Sequence, residues 1–120
     1  MPHILVADDD LDIARLVEFQ LRFHGFVVSV VHDGQSALEK AREVRPDLIL
    51  IDWMMPGMDG LQCLTAIKAD PTLKHLPVIL MTARAQTGDV QAGMTAGAAA
   101  YLVKPFALDK LIQTVREVLA

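Results

Sequence analysis

One cysteine, Cys63, has no second thiol in the chain to pair with, so no disulfide framework holds this sequence together. Aromatic residues make up only 5% of it, and lysine and arginine never form a run. Without stacking side chains or a basic stripe, direct contact with nucleic acid or an anionic membrane surface is not expected. No apolar stretch approaches the roughly eighteen residues of a membrane-spanning helix, and no signal peptide precedes the first apolar run. Together these absences predict a reduced, cytoplasmic setting. What is present suffices for one core: 120 residues, 52% of them hydrophobic, with 11 basic against 15 acidic side chains and a formal charge of −4. Such a surface suits protein partners or small anions held locally.

Five short apolar runs punctuate the chain: HILVA (3–7), VVSVV (27–31), DLILI (47–51), PVILM (77–81) and AYLV (100–103). They are continuous rather than alternating, as parallel strands covered on both faces require. Helical spacing fills the gaps. Ile13, Leu16, Val17 and Leu21 share one face, as do Leu108, Leu111, Ile112, Val115 and Leu119. Ala37, Leu38, Ala41 and Val44 mark a second helix. A third carries Leu61, Leu64 and Ile67 and is closed by Asp70-Pro71. A fourth, around 86–96, contains Gly88 and Gly93, each costing a helix about 1 kcal/mol relative to alanine, and is expected to be the most mobile. The βα unit thus occurs five times, which predicts an α/β fold: a doubly wound, five-stranded parallel sheet with right-handed crossovers. No linker or repeat interrupts it, so residues 1–120 are expected to be one domain, with no second output domain among them.

In such a sheet the functional groups gather beyond the carboxyl ends of the strands. Asp8, Asp9 and Asp10 follow strand one, Asp52 ends strand three, Thr82 ends strand four and Lys104 follows strand five. If strands one and three are neighbours, at least three carboxylates converge. Two unit charges about 4 Å apart at an effective dielectric near 20 repel by about 4 kcal/mol. A hard divalent cation offsets that, and Mg²⁺ suits a site with few carboxylates because it keeps several of its waters. Lys104 adds a positive charge and Thr82 a hydroxyl donor, completing a cradle for a phosphoryl group.

ILVADDD, LILIDWMMPGMDG, VILMTA and YLVKPF, in that order and spacing, resemble the receiver domain of two-component response regulators, of the chemotaxis-regulator kind. The resemblance runs through essentially the whole chain. It implies the flavodoxin-like strand order 2-1-3-4-5 and a phosphorylation-dependent switch. Asp52 would accept a phosphoryl group from the phosphohistidine of a sensor histidine kinase or a histidine phosphotransfer protein. Asp8, Asp9, Asp52 and the backbone carbonyl of Met54 would hold Mg²⁺. Lys104 would contact the phosphoryl oxygens, while Thr82 and Tyr101 would change position together and alter binding of an output protein on the helix 4, strand 5 and helix 5 face. The bistable region would be residues 83–96. Such a protein is a phosphoacceptor, catalysing only its own phosphotransfer and dephosphorylation.

Two departures from the family pattern stand out. Many DNA-binding receivers carry an acidic pair before the tyrosine. Here Ala99 and Ala100 stand there, which argues against a charge-paired receiver dimer. Met54 and Arg84 occupy the positions that shape access of the hydrolytic water, and an apolar Met54 resembles slower-hydrolysing members. Competing readings of single residues are plainer. Asp9 or Asp10 alone suits a helix cap, PGMDG a turn into an Asp59-capped helix, and Met54, Met55 and Met58 gap filling. The four histidines, His3, His24, His32 and His75, lack metal-ligand spacing and are expected to be structural or exposed. Trp53, directly after Asp52, is expected to point to the opposite face of the strand yet to sit at the mouth of the site, only partly buried. For the whole chain, a haloacid-dehalogenase-like phosphatase would use Asp8 as nucleophile and Asp10 as acid but leave Asp52 idle. A receiver fold serving only as an interaction module would need none of this chemistry.

Overall fold

A computed structural model of the chain describes residues 1–83 and 87–120. Arg84 and part of the loop after strand four therefore lie outside the described residues. The strands are β1 (His3–Ala7), β2 (Val27–Val31), β3 (Leu48–Asp52), β4 (Val78–Thr82) and β5 (Ala100–Val103). The helices are α1 (Leu11–Phe23), α2 (Gly34–Val44), α3 (Gly60–Ala69), α4 (Thr87–Thr95) and α5 (Leu108–Leu119). All strand pairings are parallel, in the order β2-β1-β3-β4-β5. This is the expected doubly wound, flavodoxin-like sheet.

β3 and β4 begin one residue later than the apolar runs suggest. Asp47 turns its carboxylate outward to accept the His3 N–H at 2.7 Å, and Pro77 has no N–H to give the ladder. The shift makes Asp52 and Thr82 the last residues of their strands. Every residue of both strands is buried, which explains why their sequences do not alternate.

Two cores flank the sheet. Ile4, Val6, Leu48, Leu50, Ile79, Met81 and Leu102 face α1 and α5, whereas Leu5, Ile49, Ile51, Val78 and Leu80 face the side of α2 and α3. On α1 the buried stripe is Ala14, Val17 and Leu21. Leu16, expected on that face, is instead 50% exposed; the stripe that reaches the core is narrower than the apolar spacing suggests. Gly93, expected only to weaken α4, lies hard against the sheet. A Cβ there would stand 2.7 Å from Leu80 Cδ1 and 3.4 Å from the Trp53 ring.

Three aspartates start helices at the functional end. Asp10 accepts from the N–H groups of Asp12 and Ile13. Asp33 accepts from that of Ser36. Asp59 forms a reciprocal capping box with Gln62. Gly60, the first residue of α3, allows that helix to begin against β3. A Cβ there would lie 2.5 Å from the Asp52 carbonyl oxygen and 2.7 Å from Trp53 Cα.

Candidate functional site

Sheet register brings the acidic residues level. Ala7 pairs with Ile51, so Asp8 and Asp52, each one residue further on, lie side by side at the carboxyl edge. Alternation places both on the α1/α5 face, continuing Ile4-Val6 and Leu48-Leu50. Lys104, two residues past Leu102, returns to the same face from β5. Carboxylate oxygens of Asp8, Asp9 and Asp52 lie within 4.8 Å of one another, with Asp8 and Asp52 buried and Asp9 exposed.

Lys104 Nζ donates to Asp8 Oδ2 at 2.9 Å and lies 3.2 Å from Asp52 Oδ1. One ammonium between two buried carboxylates is too little. Burial, reinforced by the Asp8 charge and opposed by Lys104, pushes the Asp52 carboxyl up to about 6. Burial works against the Lys104 charge as well, yet the hydrogen bond and charge of Asp8, joined by Asp52, hold its pKa above the ordinary lysine value. The donor set is three carboxylates without nitrogen or sulfur, which fits a hard, oxygen-seeking cation. The unmet negative charge gives such an ion a reason to bind.

Asp8 is engaged at every polar atom. Its N–H donates to Val31 O at 3.1 Å, Oδ1 accepts the Asp10 N–H at 2.9 Å, and Oδ2 accepts from Lys104. Its carbonyl oxygen lies 3.0 Å from His32 Nδ1. The sequence spacing leaves this histidine structural or exposed, and it is both, but does not tie it to the site. Its place one residue past β2, the neighbour of β1, is the signal that could have found it.

Asp10 is not among the clustered carboxylates. Its side chain is committed to the α1 cap, which removes the acid that a phosphatase reading needs. Met54 lies two residues beyond Asp52 with an exposed side chain. Trp53 corrects the expectation of a half-exposed indole at the site's mouth. It points to the opposite face from Asp52 and is only 5% exposed, packed in the core beneath Gly93 of α4. Thr82 and Tyr101 meet on that same face. With Trp53, Leu80, Gly93, Met94 and Ala98 they line a cavity of only about 10 Å³. Thr82 is buried there, while Tyr101 is 40% exposed.

Residues 4–116 match the family model of the response regulator receiver domain. The chain is similar to the DNA-binding response regulator MtrA of Mycolicibacterium paratuberculosis, at 42% identity over 94% of this chain and 49% of that protein. It is 44% identical to the transcriptional regulatory protein PrrA of Mycobacterium leprae over 98% of this chain and 50% of that one. The chain spans about half the length of these curated relatives. Among solved structures, the chemotaxis protein CheY4 of Vibrio cholerae superposes with a TM-score of 0.94 at 33% identity, covering 98% of both chains. The receiver domain of Francisella response regulator 1452 does so with a TM-score of 0.93 at 35% identity, over 99% of this chain and 97% of that one. MtrA overturns the expectation that nucleic acid plays no part. It is named for DNA binding and is about twice as long, so the charge of 120 residues has no bearing on contacts made by others.

Proposed function

The chain belongs to the response regulator receiver family, and on that premise we propose that it is a phosphorylation switch whose phosphoacceptor is Asp52. One observation carries this reading: Asp52 sits buried at a strand end, beside a second buried carboxylate, with the Lys104 ammonium within 3.2 Å of it. In the transfer, an Asp52 carboxylate oxygen attacks the phosphorus of a partner's phosphohistidine. The P–O bond forms as the P–N bond breaks, and the imidazole leaves with the electron pair and takes a proton from solvent. Lys104 turns from the carboxylates to the phosphoryl oxygens, whose charge it offsets. Mg²⁺, held by Asp8, Asp9, Asp52 and the Met54 carbonyl, would supply the remaining positive charge.

The donor protein has a surface to use. Leu11, Leu16, Phe19 and Phe23 of α1 are exposed, and a groove of about 340 Å³ runs from Ile13 and Leu16 to Lys104 and Phe106. Output would pass through Thr82 and Tyr101 to the face of α4, β5 and α5, where a larger groove of about 670 Å³ includes Met94, Tyr101 and Lys110. The names of MtrA and PrrA favour transcription as the process served. Among the described residues no helix is long and apolar enough to cross a membrane, in keeping with a cytoplasmic setting. Residues 1–120 then act as one receiver domain, which turns over only its own phosphoryl group.

Mass spectrometry after treatment with acetyl phosphate and Mg²⁺ tests donor chemistry, site and metal together. A single phosphoryl adduct on Asp52, absent without Mg²⁺ and absent in Asp52→Asn, is expected. No adduct under any condition would leave an interaction module as the better reading.

A further inference from the structure

β1 ends in Ala7, with Asp8 the next residue, and its neighbour β2 ends in Val31. The Asp8 N–H donates to Val31 O, a backbone contact one residue past the end of β1. The Asp8 carbonyl points to the same side of the strand, toward the continuation of β2. The imidazole of His32 fills that place, with Nδ1 3.0 Å from the Asp8 oxygen. A carbonyl only accepts, so Nδ1 carries the proton and Nε2 is left to the exposed side. The contact adds one side-chain rung to the sheet, at the residue where the strand becomes the acidic loop.

From this geometry we infer that His32 is a positioning residue for the cation site: its Nδ1–H fixes the Asp8 main chain and thereby the directions of the Asp8 and Asp9 carboxylates. Asp8 Oδ1 and Oδ2 are already aimed by the Asp10 N–H and by Lys104, but on the proposed function Lys104 turns away to the phosphoryl oxygens. The Asp10 N–H then remains as the only one of these two donors still directing the carboxylate, and the backbone that carries it rests on His32. Asp9 has no buried surroundings of its own to hold it, so its direction depends on the same stretch of main chain. Outer hydrogen-bond partners of metal ligands typically cost 10- to 100-fold in affinity when removed. A single backbone contact at an exposed position belongs at the lower end of that range.

The inference rests on the Mg²⁺ site proposed above. Its test is the Mg²⁺ dissociation constant measured by isothermal titration calorimetry, alongside the melting temperature without metal, in the parent and in three variants. Asn places an amide N–H near the position of Nδ1, whereas Gln carries it to the position of Nε2 and Leu has none. His32→Leu and His32→Gln should bind Mg²⁺ about tenfold more weakly than the parent, and His32→Asn should come within about twofold of it. Metal-free melting temperatures should be alike for the Asn and Gln variants, so that packing alone does not account for the split. Equal affinities for Asn and Gln, or a parent-like affinity for a folded Gln variant, would overturn the inference. Absence of Mg²⁺ binding in the parent itself would instead bring down the site, and this inference with it.

Discussion

Removing the charge at Asp52 should stabilise the metal-free protein at neutral pH. The folded state raises the Asp52 pKa from the ordinary 3.8 to about 6, so between those values it holds a proton that the unfolded chain has lost. The resulting stability is fully present below 3.8 and is lost as pH rises through about 6. At about 1.36 kcal/mol per pH unit, that interval sets a ceiling near 3 kcal/mol on the cost of ionising Asp52 in the fold. Relaxation of the surroundings about the new charge trims the figure to about 2 kcal/mol. Asp52→Asn has nothing to ionise, keeps an oxygen for Lys104, and avoids the cost.

Urea denaturation and thermal melts at a series of pH values, with chelator present, measure the difference directly. At pH 7.5 the Asn variant should melt roughly 6–10 °C above the parent, and its advantage should close as pH falls toward 4. Asp33 and Asp70, whose carboxyls are held below the usual range by hydrogen bonds to Ser36 and to Thr72, lose stability on acidification in both proteins and cancel in the comparison. Saturating Mg²⁺, at a hundredfold excess over its dissociation constant, should add about 2.7 kcal/mol to the parent and so erase the variant's lead. A parent as stable as Asp52→Asn at pH 7.5 without metal, or a difference that ignores pH, would refute the reasoning about the buried pair.

Gly60→Ala should destabilise the fold by about 2–4 kcal/mol in the same melts, because the new methyl meets the Asp52 and Trp53 backbone, which has no rotamer to change. Cys63 should resist iodoacetamide at pH 8 until the protein is unfolded, since burial both shields the thiol and pushes its pKa up to about 12. Trp53 emission should start blue-shifted and respond to beryllium fluoride with Mg²⁺ through movement of α4. Asp9→Ala should lose the metal-dependent part of that response, and a full Mg²⁺ response in Asp9→Ala would place the metal elsewhere.

The fold was legible because a parallel sheet covered on both faces writes continuous apolar runs, and five of them appear at strand-and-helix spacing. The acidic cluster was legible for a related reason. Strand ends can be located to within a residue, and register carries Asp8 to Asp52 without knowledge of any loop. What the sequence hid depends on the third dimension. Leu16 fits the buried periodicity of α1, yet only Ala14, Val17 and Leu21 reach the core. Gly93 looks like a defect in a helix until the Trp53 ring is seen beneath it. His32 has no partner at any sequence spacing, because its acceptor is a main-chain carbonyl 24 residues away on the neighbouring strand.

Trp53 shows how much hangs on a single step along a strand. Asp52 faces α1 and α5 with Asp8 and Lys104, whereas Trp53, Thr82 and Tyr101 lie on the α4 side. On the proposed function, then, the phosphoryl group arrives on one face of the sheet and its consequence is expressed on the other. A change at Asp52 has to cross at the strand edge, and the backbone contacts among the described residues there include these. Trp53 N donates to Met81 O at 2.8 Å, the Gly60 N–H donates to Trp53 O at 2.8 Å, and Lys104 N donates to Thr82 O at 2.7 Å. The last of these joins the residue that would contact the phosphoryl oxygens to the residue that would move with Tyr101. Lys104 and Thr82 are therefore joined by a backbone hydrogen bond. The cavity of about 10 Å³ lined by Thr82, Tyr101 and Gly93 of α4 is too small for a phenol, so an inward turn of Tyr101 needs that lining to move. Movement of Thr82 or of α4 would supply the room, and a shift of α4 would alter the face on which an output partner would bind.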